Sequence, residues 1–226
     1  MGQGYLLSRY GIPILNSDNF FSAALSRDRF NLIYRTLRFD DKTTRLERIS
    51  SSGDKLEAFR EIFDIVDLSF RENYSLDKYI TVDERMVGFK GNCSFRIYMK
   101  GKPQRYSMKV WVAADVKTSY LLNIQPYLGK VGGAREIKQG ERVVKDLMEP
   151  YYGTCRGLTT DNFFTSIPLA IFLLNNNITL TGTMRRNNTY IPPKILDVKH
   201  RQELSSVFCY SGDLTLVSYV PKKIAT

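Results

Sequence analysis

Two aspartates lie at positions where a carboxylate can do chemistry. Asp83 interrupts Tyr79 to Val87, a run of β-branched and apolar residues typical of a strand, and aspartate is depleted in strand interiors. Asp161 follows the short segment Gly157 to Thr160, at the carboxyl end of a predicted strand, where open α/β sheets collect ligands. Ordinary explanations also exist, because Asp83 can pair with Arg85 on an exposed face and Asp161 can cap the helix that follows.

Taken together, the two aspartates predict a metal site. If their strands are neighbours, Asp83 and Asp161 converge at one edge of the sheet and offer the hard oxygen ligands that suit Mg²⁺ or Mn²⁺. Two metals held by such acids can activate a water or a 3′-hydroxyl and stabilise the leaving oxygen of a phosphodiester. Two carboxylates leave one metal short of ligands, so a third acid is expected.

Basic residues are concentrated between positions 90 and 117. This segment has one acid, Asp115, and tyrosines at positions 98 and 106. Its seven bases are Lys90, Arg96, Lys100, Lys102, Arg105, Lys109 and Lys117. Such a segment can follow a phosphate backbone, or it can be the solvated face of a hairpin. The near absence of acids favours DNA contact, which we assign to Lys100, Lys102, Arg105 and Lys109.

The composition is that of a globular protein with a polyanionic partner. The 226 residues include 33 Lys and Arg against 23 Asp and Glu, a net charge of +10, which favours nucleic acid first and an acidic membrane surface second. Three scattered cysteines and a single histidine, His200, argue against a disulfide framework and a structural zinc site. No stretch approaches the ~20 apolar residues of a membrane span, and the first ten residues do not resemble a signal peptide, so we expect an intracellular protein.

Hydrophobic periodicity predicts the elements that position these residues. Two amphipathic helices come first, one capped by Ser26 and one over Leu56 to Phe70, with a polar loop from Asp40 to Gly53 between them. From Tyr79 onward the predicted order is β β β β α β α β. This order predicts an α/β fold with an RNase H-like mixed sheet and flanking helices, although several α/β folds share it.

Three regions follow from these elements. Residues 1–78 are predicted to form a helical N-terminal region, residues 79–186 the α/β core, and residues 187–226 the start of a small β-rich insertion. A hairpin is expected in this last region around Ser211 to Asp213.

Several blocks in order resemble piggyBac transposases. The blocks are Ser26 to Phe30, Leu37 to Asp41, Asp83-Glu84, Gly88-Phe89, Phe95 to Met99, Lys102-Pro103, Lys109, Pro126 to Gly129, Thr160 to Leu169, Gly182 to Arg185 and Ile191-Pro192. The resemblance implies a metal-dependent DNA transposase that excises an element at TTAA sites and rejoins it by strand transfer. Asp83 and Asp161 match the first and second catalytic aspartates of that family, with Mg²⁺ or Mn²⁺ as cofactor. DNA as partner, a homodimer formed through the helical region, no membrane association and a nuclear location are the further expectations.

The resemblance also implies a third catalytic aspartate, in a Gly-Gly-Val-Asp context beyond the insertion. That block does not occur between residues 1 and 226, and neither Asp115 at a strand end nor Asp213 in a hairpin turn matches it. We therefore expect the chain alone to be inactive in DNA cleavage. The alternative is a domesticated, catalytically inactive protein that retains DNA binding or another interaction.

Overall fold

The computed structural model describes residues 24–101, 105–130 and 136–222. It divides into two compact units whose boundary falls between Ile62 and Phe63. The helices are α1 (Arg27–Thr36), α2 (Arg45–Ser52), α3 (Arg60–Glu72), α4 (Gln139–Met148), α5 (Ile167–Asn175) and α6 (Pro193–Leu196). The strands are β1 (Tyr79–Gly88), β2 (Ile97–Tyr98), β3 (Tyr106–Asp115), β4 (Leu121–Pro126), β5 (Gly157–Thr160), β6 (Thr179–Gly182), β7 (Ser206–Ser211) and β8 (Leu214–Tyr219). Within these described ranges no helix has the length and apolar character needed to cross a membrane.

Helix α1 begins as the sequence predicts, whereas the loop predicted from Asp40 to Gly53 is wrong. Ser26 caps α1 by accepting a hydrogen bond of 3.3 Å from the Arg29 N–H. The polar stretch that follows contains helix α2, which ends at Gly53 in the left-handed conformation, with a φ of 68°. Glycine adopts this conformation without steric cost, and it commonly ends helices.

Ion pairs accompany α2 where an apolar stripe would be expected. The guanidinium groups of Arg45 and Arg48 lie 2.5 and 3.0 Å from the Asp40 carboxylate, whose side chain is only 7% exposed. Arg48 also contacts Glu57 at 2.9 Å. Because α2 contains only two apolar residues, Leu46 and Ile49, hydrophobic periodicity does not reveal this helix.

The central sheet has six strands and is mixed. Strand β3 pairs antiparallel with β1 at one edge, and with β4 and the short β2 at its other edge. Strands β1, β5 and β6 pair in parallel, so the strand order is β4-β3-β1-β5-β6, with β2 extending the outer edge of β3. The predicted α/β fold with a mixed sheet and flanking helices is confirmed.

Alternating residues of the sheet bury one face under α4 and α5. The core cluster includes Ile80, Val82, Trp111, Ala113 and Leu158 from the strands and Val143, Val144, Leu147, Leu169 and Leu173 from the two helices. Because successive side chains of a strand point to opposite faces, the residues between these strand positions belong to the other face. We call the helix-packed side the covered face and the other side the open face.

The last part of the described chain contains the predicted hairpin. Strands β7 and β8 pair antiparallel, from Ser206 opposite Tyr219 to Ser211 opposite Leu214. Gly212 occupies the turn with a φ of 55°. The domain limits placed at 78/79 and 186/187 stay predictions.

Candidate metal and DNA site

Asp83 and Asp161 lie at the same level of two adjacent strands. In the parallel pairing of β1 with β5, Ile80 is opposite Leu158 and Val82 is opposite Thr160. Each aspartate is the next residue after this last pair, and neighbouring strands run about 4.8 Å apart. The expectation that the two strands are neighbours is therefore confirmed.

The aspartates belong to the solvent-accessible side of the site. Val82 and Thr160 are buried, whereas Asp83 and Asp161 are both exposed. Strand alternation places Asp83 on the open face, opposite to Val82. Within the described part of the chain, no ion pair or hydrogen bond joins Asp83 to Arg85, so the surface pairing considered from the sequence is not formed.

Asp161 is held by the turn that follows β5. Its Oδ1 accepts a 2.8 Å hydrogen bond from the Phe163 N–H, and its carbonyl oxygen accepts the Thr165 N–H at 3.1 Å and the Thr165 hydroxyl at 2.7 Å. Helix α5 is capped by Ser166, which accepts the Leu169 N–H at 3.2 Å. The side chain of Asp161 is therefore not the helix cap.

Gly182, the last residue of β6, packs against this turn. A Cβ at position 182 would lie 2.2 Å from the Thr165 Oγ1 and 2.9 Å from the Thr160 carbonyl oxygen. The Thr160 and Thr165 hydroxyls are themselves 2.8 Å apart. Only glycine allows this close approach. The contact with the end of β6 restrains the turn after β5, which carries Asp161.

The two carboxylates fit a divalent cation. Each uses one oxygen internally, since Asp83 Oδ1 accepts the Glu84 N–H at 2.7 Å and Asp161 Oδ1 accepts the Phe163 N–H at 2.8 Å. Neither Oδ2 has a hydrogen-bond or ion-pair partner among the described residues. Hard carboxylate oxygens suit Mg²⁺ or Mn²⁺. The residues in described positions form no group of three or more His, Cys, Asp and Glu side chains that could hold a metal, so these two aspartates would supply two of the ligands.

Asp115 does not complete this set. It is opposite Ile80, three residues before Asp83 along β1, on the covered face, and it is 1% exposed. Its carboxylate accepts hydrogen bonds from the Asp77 N–H at 3.0 Å, the Lys117 N–H at 2.9 Å, and the Thr118 N–H and hydroxyl at 2.8 and 3.0 Å. The role of Asp115 is to hold the turn between β3 and β4.

The predicted DNA-contact residues separate into different parts of the sheet. Lys100 and Arg105 are exposed near the start of β3, and Lys102 lies outside the described residues. Arg96 donates to the carbonyl oxygens of Lys90 and Gly91 at 3.0 and 2.8 Å. We call Lys90, Arg96, Lys100 and Arg105 the basic end. Lys117 follows the opposite end of β3 and lies 3.2 Å from Asp77.

Lys109 is engaged inside the protein. It alternates with Trp111 and Ala113 on the covered face of β3 and is 15% exposed, with its Nζ 2.5 Å from Glu84 Oε2. The ammonium also lies 5.1 to 5.9 Å from the ring centroids of Trp111, Tyr127 and Phe163. Sequence reasoning missed this environment, although the two-residue spacing from Trp111 was a usable signal. A DNA contact of Lys109 stays a prediction.

Comparison with known proteins links the chain to transposases. The family model described as "Transposase IS4" matches residues 15–226. The human PiggyBac transposable element-derived protein 3 is 28% identical over 197 residues, which cover 85% of this chain and 32% of that protein. The human PiggyBac transposable element-derived protein 2 is 25% identical over 176 residues, which cover 74% of this chain and 28% of that protein. The chain thus spans about a third or less of the curated relatives it matches.

The fold is also found in a solved structure. The cryo-EM structure of a piggyBac transposase synaptic complex with hairpin DNA aligns with a TM-score of 0.81 and 39% sequence identity. The alignment covers 91% of this chain and 45% of that chain. Together with the mixed sheet and its flanking helices, this similarity confirms the RNase H-like fold expected from the order of the elements.

Proposed function

The chain belongs to the piggyBac transposase family, and on that premise we propose that its site takes part in metal-dependent cleavage of DNA and strand transfer at TTAA sites. The observation that carries the proposal is the common level of Asp83 and Asp161 on adjacent strands, each with one carboxylate oxygen available. The reaction class and the TTAA target are those that the family resemblance implies.

Asp83 and Asp161 would hold the metal, Mg²⁺ or Mn²⁺. When bound, such an ion supplies charge stabilisation to the oxygens of a phosphodiester. The protein's own contribution is to fix its ligands beforehand, through the Glu84 N–H on Asp83 and the Phe163 N–H on Asp161. Ligands held in place lose less freedom when the ion binds.

The basic end is the proposed DNA contact. Lys90, Lys100 and Arg105 expose their charges close to one another in the chain, around the short β2 and the start of β3. Exposed lysines and arginines bind phosphates without reading sequence. A homodimer formed through the helical region and a nuclear location belong to the same proposal, because the family resemblance implies both.

Titration with Mn²⁺ tests the site. We expect the chain to bind Mn²⁺, and Asp83→Asn or Asp161→Asn to weaken that binding at least about tenfold, since even partners of metal ligands contribute ~10–100-fold. Asp213→Asn is the matched control, because Asp213 is exposed in the β7–β8 turn. Equal affinities for all four proteins would refute the assignment.

A nicking and strand-transfer assay on TTAA-flanked DNA, with Mg²⁺ and with Mn²⁺, tests the chemistry itself. Because residues 1–226 contain two of the three expected aspartates, we expect no cleavage by the chain alone. Metal-dependent activity that either aspartate substitution abolishes would overturn that expectation and support the transposase reaction. Salt-sensitive DNA binding without metal binding would instead support the second function considered from the sequence, a catalytically inactive DNA-binding protein.

A further inference from the structure

We propose that Lys109 is a positioning residue that holds both aspartates of the site in place from the opposite face of the sheet. The proposal rests on the proposed metal site. It arises because the Lys109 ammonium contacts the side chains of Glu84 and Phe163, the two residues whose backbone N–H groups bind Asp83 and Asp161.

The first connection runs through β1. Lys109 Nζ lies 2.5 Å from Glu84 Oε2, and the Glu84 N–H donates to Asp83 Oδ1 at 2.7 Å. Adjacent residues of a strand point to opposite faces, so Glu84 can bind Lys109 on the covered face while Asp83 stays on the open face. The ion pair therefore restrains the residue that orients the first carboxylate.

The second connection runs through the turn after β5. Lys109 Nζ lies 5.1 Å from the centroid of the Phe163 ring, within the range of a cation–π interaction. The Phe163 N–H donates to Asp161 Oδ1 at 2.8 Å. The Phe163 ring also packs edge-to-face on Phe164, with centroids 4.9 Å apart, so the ring has a defined position from which its backbone can orient the second carboxylate.

The surroundings of Lys109 strengthen both contacts. Its side chain is 15% exposed, and its ammonium also lies 5.2 Å from the Trp111 ring centroid and 5.9 Å from that of Tyr127. The attraction between charged groups is stronger in such a partly buried place, because the local dielectric constant is lower than that of water. One charge thus joins β1, β3 and the turn after β5, the three segments that meet at the site.

If Lys109 only filled space in the core, its replacement would lower the stability of the fold but would leave the positions of Asp83 and Asp161 unchanged. Lys109→Met removes the charge and keeps a long unbranched side chain. Lys145→Met is a matched control, because Lys145 forms the same two kinds of contact elsewhere, with the Glu141 carboxylate at 2.8 Å and the Phe172 ring at 4.3 Å.

Hydrogen exchange of the Phe163 amide in the metal-free chain is the first measurement. We expect Lys109→Met to accelerate this exchange at least about tenfold, and Lys145→Met to leave it within about twofold, because Lys109 lies over the Phe163 ring whereas Lys145 lies over the Phe172 ring. Unchanged exchange in Lys109→Met would overturn the proposal. This readout does not require a bound metal, so it tests Lys109 even if the metal site itself fails.

Affinity for Mn²⁺ is the second measurement. We expect Lys109→Met to weaken binding about 10–100-fold, as removal of partners that orient ligands does, and Lys109→Arg to restore most of it by returning the charge. If the chain binds Mn²⁺ through Asp83 and Asp161 but Lys109→Met binds equally well, the positioning role is refuted and the metal site stands. If Lys109→Met fails to fold, Glu84→Gln replaces it, with weakened Mn²⁺ binding expected and unchanged binding refuting the proposal.

Discussion

Val82 lies directly opposite Thr160 in the parallel pairing of β1 with β5, and an aspartate follows each of them in the chain. The hydroxyl of Thr160 is buried and lies 2.8 Å from the hydroxyl of Thr165. Thr165 also donates to the Asp161 carbonyl oxygen, so the turn from Thr160 to Thr165 sets the orientation of Asp161.

Replacing Thr165 with valine should loosen this turn. Thr165→Val keeps the shape of the side chain and removes the hydroxyl that donates to the Asp161 carbonyl oxygen at 2.7 Å. The substitution also removes the hydrogen-bond partner of the Thr160 hydroxyl. Thr160 is only 5% exposed, so leaving this hydroxyl unpaired costs about 1–3 kcal/mol. We expect a lower free energy of unfolding in urea and weaker Mn²⁺ binding.

Thr181→Val is the control for that experiment. Thr181 is exposed on β6, so the same loss of a hydroxyl there should change neither quantity. If both variants behave alike, the Thr160–Thr165 contact does not position Asp161.

Salt dependence of duplex DNA binding should identify the bases that contact phosphates. The logarithm of the binding constant falls with the logarithm of the salt concentration by about 0.9 for each neutralised phosphate. We expect Lys100→Ala, Lys102→Ala and Arg105→Ala, combined, to reduce this slope by about 0.9 for each side chain that contacts a phosphate. Fluorescence anisotropy at several salt concentrations measures it.

Lys117→Ala separates a local contact from a general effect of charge. Lys117 follows the other end of β3, beside Asp77, so its removal should leave the slope unchanged. A slope that falls equally per charge in both variants would contradict a contact confined to the basic end.

Asp115 should make the protein sensitive to acid. Burial alone would raise the pKa of the Asp115 carboxyl, but hydrogen bonds from the Thr118 and Asp77 N–H groups, the Thr118 hydroxyl and the Lys117 N–H hold that pKa below its ordinary value of 3.8. A carboxyl with a lowered pKa stabilises the folded state fully above its unfolded-state value, and the stabilisation is lost as the pH falls through the lower folded-state value.

We therefore expect Asp115→Asn to reduce the free energy of unfolding at pH 7 by on the order of 2 kcal/mol, since hydrogen bonds to a charged group are lost. The difference between wild type and Asp115→Asn should shrink as the pH falls below about 4, where the unfolded carboxyl begins to be protonated. Urea unfolding between pH 3 and 7 measures it. A difference that stays constant across this range would mean that the ionised Asp115 does not stabilise the fold.

Local patterns were sufficient for the elements that carry the site. Strand β5 has the predicted limits, and Ser26 caps the helix assigned to it. Each of these features depends on a few neighbouring residues, through the two-residue period of a strand or the hydroxyl of a helix cap. Helix α2 was missed because it contains only two apolar residues, Leu46 and Ile49, which are too few to form a hydrophobic stripe.

The sequence by itself determined the family resemblance, the order of the elements and the candidate aspartates Asp83 and Asp161. Only the tertiary structure decided that Val82 pairs with Thr160, and that the Lys109 ammonium contacts Glu84 and the Phe163 ring. The register between β1 and β5 depends on how two distant segments pack together through a crossover connection, and the pattern within either strand does not contain that information. The two carboxylates consequently acquire a common level from a pairing between residues 78 positions apart.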